Sequence, residues 1–252
     1  FLLPLVGNRT CDIFNSMYPK RYFQTQFDLA NKMSEMKNIP LSEALFNYTM
    51  YYRRLGISGE RNINNPEWIS FVEKINIQDP VDIFYNLYTK RKLEAGEEKH
   101  SRFGDFNYEI EGEEVHIHFS PNQKAEIGSL KKEVVPNRIK ELTEMFQEIK
   151  EKYPNAKTVN GSSWLYNFES YKRLFPHEYS QNTEISKLCL QGGSGWGQFV
   201  RANGELNEER IEEFYKNLEK LDPDKPWEVF PLQALKVKAP IERFYEFYQL
   251  LI

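Results

Sequence analysis

The sequence predicts an α+β or α/β fold in which a helical N-terminal part packs on a mixed β-sheet domain with flanking helices. Apolar residues recur with helical periodicity up to about residue 100, and they alternate with polar residues from residue 103. Beyond that point strand and helix patterns follow one another, and a hairpin combined with β-α-β crossovers gives a mixed sheet. We therefore expect a helical part over residues 1–100 and a mixed-sheet domain over residues 103–252.

The N-terminal part carries the apolar stripes of several helices. One stripe runs over residues 41–55, and an earlier one over residues 27–33 predicts a second helix that pairs with it. Asn65 and Asp79 are suitable N-caps of two further short helices, because each precedes a proline at the first helical position. The charged segment 90–102 has no periodic apolar face, which is typical of a linker or a long loop.

From residue 103 onward the pattern is that of strands and crossover helices. Apolar residues alternate over 106–110 and again over 115–119, on either side of a Glu-Gly-Glu turn, which predicts a β-hairpin. The elements expected after the hairpin are a helix over 137–153, a strand over 156–160, a short helix over 167–175, a strand over 185–190, a helix after Asn207, a strand over 230–239 and a helix over 240–251.

Charge and composition exclude several classes of function. A net charge of −4 provides no basic face, so we expect no nucleic-acid binding. Cys11 and Cys189 form no disulfide framework, which favours a reducing, cytoplasmic setting. No apolar run approaches the roughly 18–20 residues that span a bilayer, so we expect a soluble protein without membrane contact.

Three polar residues of the predicted hairpin are candidate catalytic residues. His116, His118 and Ser120 share one face of a strand, because side chains two residues apart project to the same side. An imidazole can transfer a proton near neutral pH, but it can equally belong to an ordinary polar sheet face. A metal site would need three or four ligands, and neither His100 nor His177 completes a known spacing, so we expect no metal.

Two further segments are candidate walls of a ligand site. Residues 161–167 lie between a strand end and a helix start, where ligands of open α/β sheets bind, and they supply Trp164, Tyr166 and Asn167. The alternative is a loop that the two aromatic rings merely pack.

The second segment is rich in glycine. Four glycines fall within residues 192–197, where a backbone without Cβ atoms can approach a ligand closely. Its candidate ligand-binding residues are Gly193, Trp196 and Gln198. The segment does not match a P-loop, a dinucleotide fingerprint or a nucleophile elbow. A turn or a sheet edge that continues the strand over 185–190 is the alternative.

The order strand, helix, strand, short helix and strand, from the hairpin to residue 185, resembles the core of the GCN5-related N-acetyltransferases. Asn167–Phe175 is similar in placement to that family's Asn-x-x-Ala-x-x-x-Tyr-x-x-x-Gly-Phe region, whereas Gln123–Gly128 differs from its pyrophosphate loop, Gln/Arg-x-x-Gly-x-Gly/Ala. The resemblance covers about 80 residues and transfers no catalytic residue. It implies acyl-CoA as the cofactor.

Two functions follow as hypotheses. The first is a small-molecule enzyme, acyltransferase-like, in which the histidines transfer protons and the two loop segments line the pocket. The second is a protein-binding module without catalysis, in which residues 1–100 present a tyrosine-rich surface that includes Tyr48, Tyr51 and Tyr52.

Overall fold

The computed structural model describes residues 17–57, 60–75, 79–95, 103–121 and 128–250. The expectations that concern Cys11, His100, residues 96–102 of the expected linker and the segment 123–127 lie outside these residues. The expectation of a linker is wrong for residues 90–95, because they continue the helix that begins at Pro80. Across the described residues the chain has a helical and a sheet-containing part, which confirms the α+β class.

The helices and strands of the described residues are numbered separately, each in chain order. The helices are α1 (Lys20–Lys37), α2 (Leu41–Tyr48), α3 (Tyr51–Arg54), α4 (Pro66–Ile75), α5 (Pro80–Ala95), α6 (Val135–Lys152), α7 (Glu169–Lys172), α8 (His177–Gln181), α9 (Gly193–Trp196), α10 (Glu208–Glu219) and α11 (Glu242–Phe247). The strands are β1 (Phe106–Glu111), β2 (Glu114–Phe119), β3 (Thr158–Ser163), β4 (Thr183–Ile185) and β5 (Leu235–Pro240).

The chain forms two compact units that are not consecutive in sequence. The helical unit combines Phe1–Glu98 with Leu188–Pro231, and the sheet unit combines Lys99–Lys187 with Leu232–Ile252. The helical unit therefore includes a segment that the sequence assigns to the second domain. Its second segment is tied to the first by hydrogen bonds such as that from the Tyr215 hydroxyl to Asp28 (2.6 Å).

The helical unit contains the expected helices, with one interruption. The apolar stripe over 41–55 is divided between α2 and α3, because Thr49 has an extended backbone. The Thr49 hydroxyl donates to the Leu45 carbonyl and accepts from the Tyr51 amide, so that the side chain replaces helical hydrogen bonds.

Aromatic rings form much of the core of the helical unit. Tyr51 is completely buried, stacks on Phe84 with centroids 3.8 Å apart, and donates its hydroxyl to the Phe23 carbonyl. Tyr52 is also buried, between Phe46 and Trp68. The expectation that Tyr51 and Tyr52 form a binding surface is therefore wrong, since these rings provide packing area inside the unit.

The sheet unit contains a mixed five-stranded sheet in the order β1-β2-β3-β5-β4. The predicted hairpin is confirmed: β1 and β2 pair antiparallel in register Phe106–Phe119. β2 and β3 are parallel, and β5 pairs antiparallel with both β3 and β4. The expected strand over 185–190 is wrong, because β4 ends at Ile185 and a 3-10 turn occupies Cys189–Gln191.

One face of the sheet is apolar and packs against α6. Val115, Ile117 and Val159 on this face share a buried core with Leu142 and Phe146 of the helix. The alternation of the hairpin therefore sets which side chains are buried. Histidine, asparagine and charged side chains are left on the opposite face of the sheet.

A largely buried charge cluster connects the hairpin to α6. Arg138 contacts the Asp105 carboxylate and pairs with Glu141 Oε1 at 2.9 Å. The Asp105 amide donates to the other Glu141 oxygen. Burial raises the pKa of Glu141. Gly104 directly precedes Asp105 of this cluster. Its φ of +62° places it in the left-handed region that favours glycine.

Candidate functional site

The polar face of the sheet contains both candidate histidines. His116 and His118 lie on β2 with partly exposed side chains, opposite the buried Val115 and Ile117. This arrangement agrees with the alternation expected from the sequence. Across the strands the same face carries further polar side chains, namely Asn107, Glu109, Glu111, Glu114, Thr158, Asn160, Ser162, Glu184, Lys236 and Lys238.

Each of the two imidazoles has a carboxylate beside its Nε2 atom. His118 Nε2 lies 3.4 Å from Glu109 Oε2, and His116 Nε2 lies 3.5 Å from Glu111 Oε2. These are close contacts and not hydrogen bonds, because neither Nε2 atom has a hydrogen-bond partner among the described residues. The sequence did not indicate these carboxylates, because they lie on the neighbouring strand.

Glu114 connects three strands on this face. Its carboxylate accepts a hydrogen bond from Asn160 Nδ2 of β3 (2.8 Å) and pairs with Lys238 Nζ of β5. The hydrogen bond from Lys238 is the main cause that lowers the pKa of Glu114. The carboxylate also lies 3.9 Å from His116 Nε2. Glu114 therefore holds β2, β3 and β5 together at one end of the parallel pair.

Beyond His116 and Asn160 the parallel strands β2 and β3 are no longer paired with each other. The ladder between β2 and β3 covers only three residue pairs and ends at His116–Asn160, although β2 stays paired with β1, and β3 with β5, to their last residues. We call the space that follows the β2–β3 gap, bounded by residues 117–119 and 161–163. Backbone groups that face this gap have no ladder partner in the described structure.

The candidate residues at the end of β3 lie on the same sheet edge as Ser120, because β2 and β3 run parallel. Ser120 is exposed, and its amide donates to the Asp105 carbonyl. Trp164 and Asn167 occupy the 3-10 turn that follows β3. The side-chain Nδ2 of Asn167 donates to the backbone carbonyls of Trp164 and Gln233. The structure therefore brings these three residues to the carboxyl ends of neighbouring strands.

Tyr166 has a different position from the other candidates on this loop. Its ring is 1% exposed, its hydroxyl hydrogen-bonds the Tyr179 hydroxyl at 2.9 Å, and burial raises its pKa well above the usual value. Both hydroxyls lie against Gly161 of β3, where a Cβ atom would approach them well inside 3.0 Å. Tyr166 thus packs directly behind the strand that borders the β2–β3 gap.

The glycine segment belongs to the helical unit and does not extend a strand. Residues 193–196 form the short helix α9, which corrects the expected sheet edge. Trp196 is completely buried and donates its indole N–H to the Leu190 carbonyl (2.8 Å). Gly195 packs closely against Phe230, because a Cβ there would lie 3.0 Å from the Phe230 ring and the ring would have to shift.

The other two ligand candidates of this segment have contrasting exposure. Gln198 is 1% exposed and donates to the Gly195 carbonyl, whereas Gly193 is exposed. Trp196 and Gln198 therefore offer almost no surface that a ligand could contact, and their contacts are those of core residues. The sequence did not predict this role, because Phe230, which packs against Trp196, is distant along the chain.

The described residues contain neither a metal-binding group nor a membrane-spanning helix. No group of three or more His, Cys, Asp or Glu side chains within them is arranged to hold a metal ion. Among their helices, none combines the length and apolar character needed to cross a membrane.

Cys189 is buried, which raises its pKa to about 12 and disfavours the reactive thiolate.

Comparison with models of protein families, with curated proteins and with solved structures found no match for this chain. The chemistry of the site therefore has to be derived from its own residues.

Proposed function

We propose that the sheet unit binds an acyl-CoA thioester in the β2–β3 gap and transfers the acyl group to a small-molecule amine. The observation that carries this proposal is the early end of the β2–β3 ladder at His116–Asn160. Backbone N–H and C=O groups that border the gap can pair with an extended ligand, because no ladder joins β2 and β3 there. The pantetheine arm of CoA is narrow, extended and contains two amides, so it can supply both donors and acceptors there.

The order of helices and strands in the sheet unit supports the hypothesis of an acyltransferase. The described chain follows β2, α6, β3, α7, α8 and β4, which is the order on which the resemblance to the GCN5-related N-acetyltransferases depends, with one additional short helix, α8. Helix α6 begins at Val135 without a side-chain cap and without an acidic residue in its first turn. Lys131 and Lys132 lie in the turn before it, together with one acidic residue, Glu133. The free N–H groups of a helix start favour phosphate groups.

The histidines supply the proton transfer that the reaction needs. The amine nitrogen attacks the thioester carbon, the new C–N bond forms as the C–S bond breaks, and the thiolate of CoA leaves. His118, which lies beside Glu109, accepts the proton that the amine loses. Its position on β2, next to the gap, makes it the preferred base over His116, which lies at the closed end of the gap.

Replacing His118 with alanine separates binding from catalysis. We expect His118→Ala to bind acetyl-CoA as the unaltered protein does and to release CoA thiol about 10²–10⁴-fold more slowly in the presence of a panel of small amines. Calorimetry measures the binding, and a thiol reagent measures the release.

His177→Ala is the matched control, because His177 is exposed at the start of α8 and belongs to neither of the strands that border the gap. It should leave both quantities unchanged. Failure of the unaltered protein to bind acetyl-CoA at all would overturn the proposed function. Equal rates for His118→Ala and His177→Ala would remove His118 from the mechanism while leaving the binding site.

A further inference from the structure

The strand β1 forms an open edge of the sheet. It pairs with β2 on one side, and none of the other described strands pairs with it on the outer side. The backbone groups of such an edge can form a ladder with an added strand. Side chains of that added strand would then alternate between the two faces of the sheet.

A depression of about 550 Å³ lies beside this edge. Its walls include the rings of Phe103, Tyr108 and Tyr153 and the side chain of Ile110. The Tyr108 and Tyr153 rings meet edge to face at 6.0 Å. This lining suits a large apolar or aromatic side chain, because such surfaces gain most from the removal of water.

The depression also contains polar acceptors. Glu148 lines it, and its Oε1 atom accepts a hydrogen bond from the Tyr108 hydroxyl (2.9 Å). A carboxylate can accept several hydrogen bonds, so a ligand group that donates one is favoured there. A tyrosine side chain combines the ring and the donor that the depression fits.

The other face of β1 is acidic. The side chains of Glu109 and Glu111 are 72% and 87% exposed, and they alternate with Tyr108 and Ile110 along the strand. Opposite charges on directly facing strand positions stabilise a pair, whereas like charges destabilise it. A second copy pairing through β1 would bring four of these carboxylates onto one face, so self-association is disfavoured.

We propose that β1 binds an extended peptide segment of a partner protein in which lysine or arginine alternates with large apolar or aromatic residues. The basic side chains face Glu109 and Glu111, and the alternate side chains enter the depression. The peptide contacts Glu109, which also lies beside the proposed base His118, but failure of the peptide to bind would leave acetyl-CoA binding intact.

A labelled peptide tests the proposal on the full chain. The probe is fluorescein-Lys-Tyr-Lys-Val-Lys-amide, and the comparison is the same peptide with glutamate in place of each lysine. We expect fluorescence anisotropy to show binding of the basic peptide only. Glu109→Lys/Glu111→Lys should weaken it by at least about tenfold and favour the acidic peptide.

Glu184→Lys is the matched control, because Glu184 is an exposed glutamate on the opposite edge strand, β4. It should change the affinity less than about twofold, within the usual range of an isolated surface charge. Equal affinity for the two peptides, no binding of either, or binding insensitive to Glu109→Lys/Glu111→Lys would overturn the proposal. A dimer in ultracentrifugation that the basic peptide dissociates would assign the edge to a second copy instead.

Discussion

Replacing Arg138 with methionine is expected to lower the free energy of unfolding by about 3–5 kcal/mol. The guanidinium group pairs with Asp105 and Glu141, and the side chains of all three residues are at most 18% exposed. Methionine retains much of the stem volume but leaves two carboxylates close together without a cation. An uncompensated buried charge costs far more than the loss of one exposed ion pair. Denaturant unfolding measures the difference.

Arg210→Met provides the control, because Arg210 pairs at 3.4 Å with Glu213, a half-exposed carboxylate one turn along α10. This change should cost no more than about 0.5 kcal/mol. Adding Asp105→Asn and Glu141→Gln to Arg138→Met should recover a large part of the loss, since the remaining groups are neutral. A loss below about 1 kcal/mol for Arg138→Met alone would mean that the cluster does not anchor the hairpin to α6.

Replacing Gly161 with alanine is expected to cost about 3 kcal/mol. The new methyl group would overlap the hydroxyls of Tyr166 and Tyr179 and lie 3.2 Å from Tyr166 Cζ. These rings cannot move aside easily, because both are completely or almost completely buried. Overpacking of a dense core forces side chains from their preferred positions or shifts the backbone. Thermal and denaturant unfolding both report the loss.

Gly128→Ala is the matched glycine control, because the nearest atom to its Cβ would be 3.8 Å away. It should change stability by no more than about 0.5 kcal/mol. Combining Gly161→Ala with Tyr179→Phe removes one overlapping hydroxyl, so the double variant should be more stable than the sum of the single changes predicts. Strict additivity of the two changes would contradict the contact between Gly161 and Tyr179.

The hairpin and its two faces were predictable because a strand has a period of two residues. Alternation over 106–110 and 115–119 was sufficient to place His116 and His118 together, opposite Val115. The pairing of these strands with β3 and β5 was not predictable, because it depends on register between segments distant along the chain. The sequence therefore did not predict that Glu114 and Lys238 connect these strands.

The role of the glycine segment was not predictable, although its sequence pattern was prominent. The ring that packs against it belongs to a residue outside the segment. Closely spaced glycines indicate that side chains are excluded, but they do not identify what excludes them. Here the excluded space at Gly195 is filled by the Phe230 ring. Similarly, Gly161 showed no local motif, yet two tyrosine hydroxyls from α8 and the 3-10 turn lie against it.

Backbone hydrogen–deuterium exchange with and without saturating acetyl-CoA tests the proposed β2–β3 gap most directly. Residues 117–119 and 161–163 border the gap, where β2 and β3 have no ladder between them. If the pantetheine arm pairs with these strands, amides of both segments should exchange at least about tenfold more slowly in the complex, because exchange follows the opening of hydrogen bonds. Protection confined to other segments, with exchange at both borders unchanged, would contradict acyl-CoA binding in the gap.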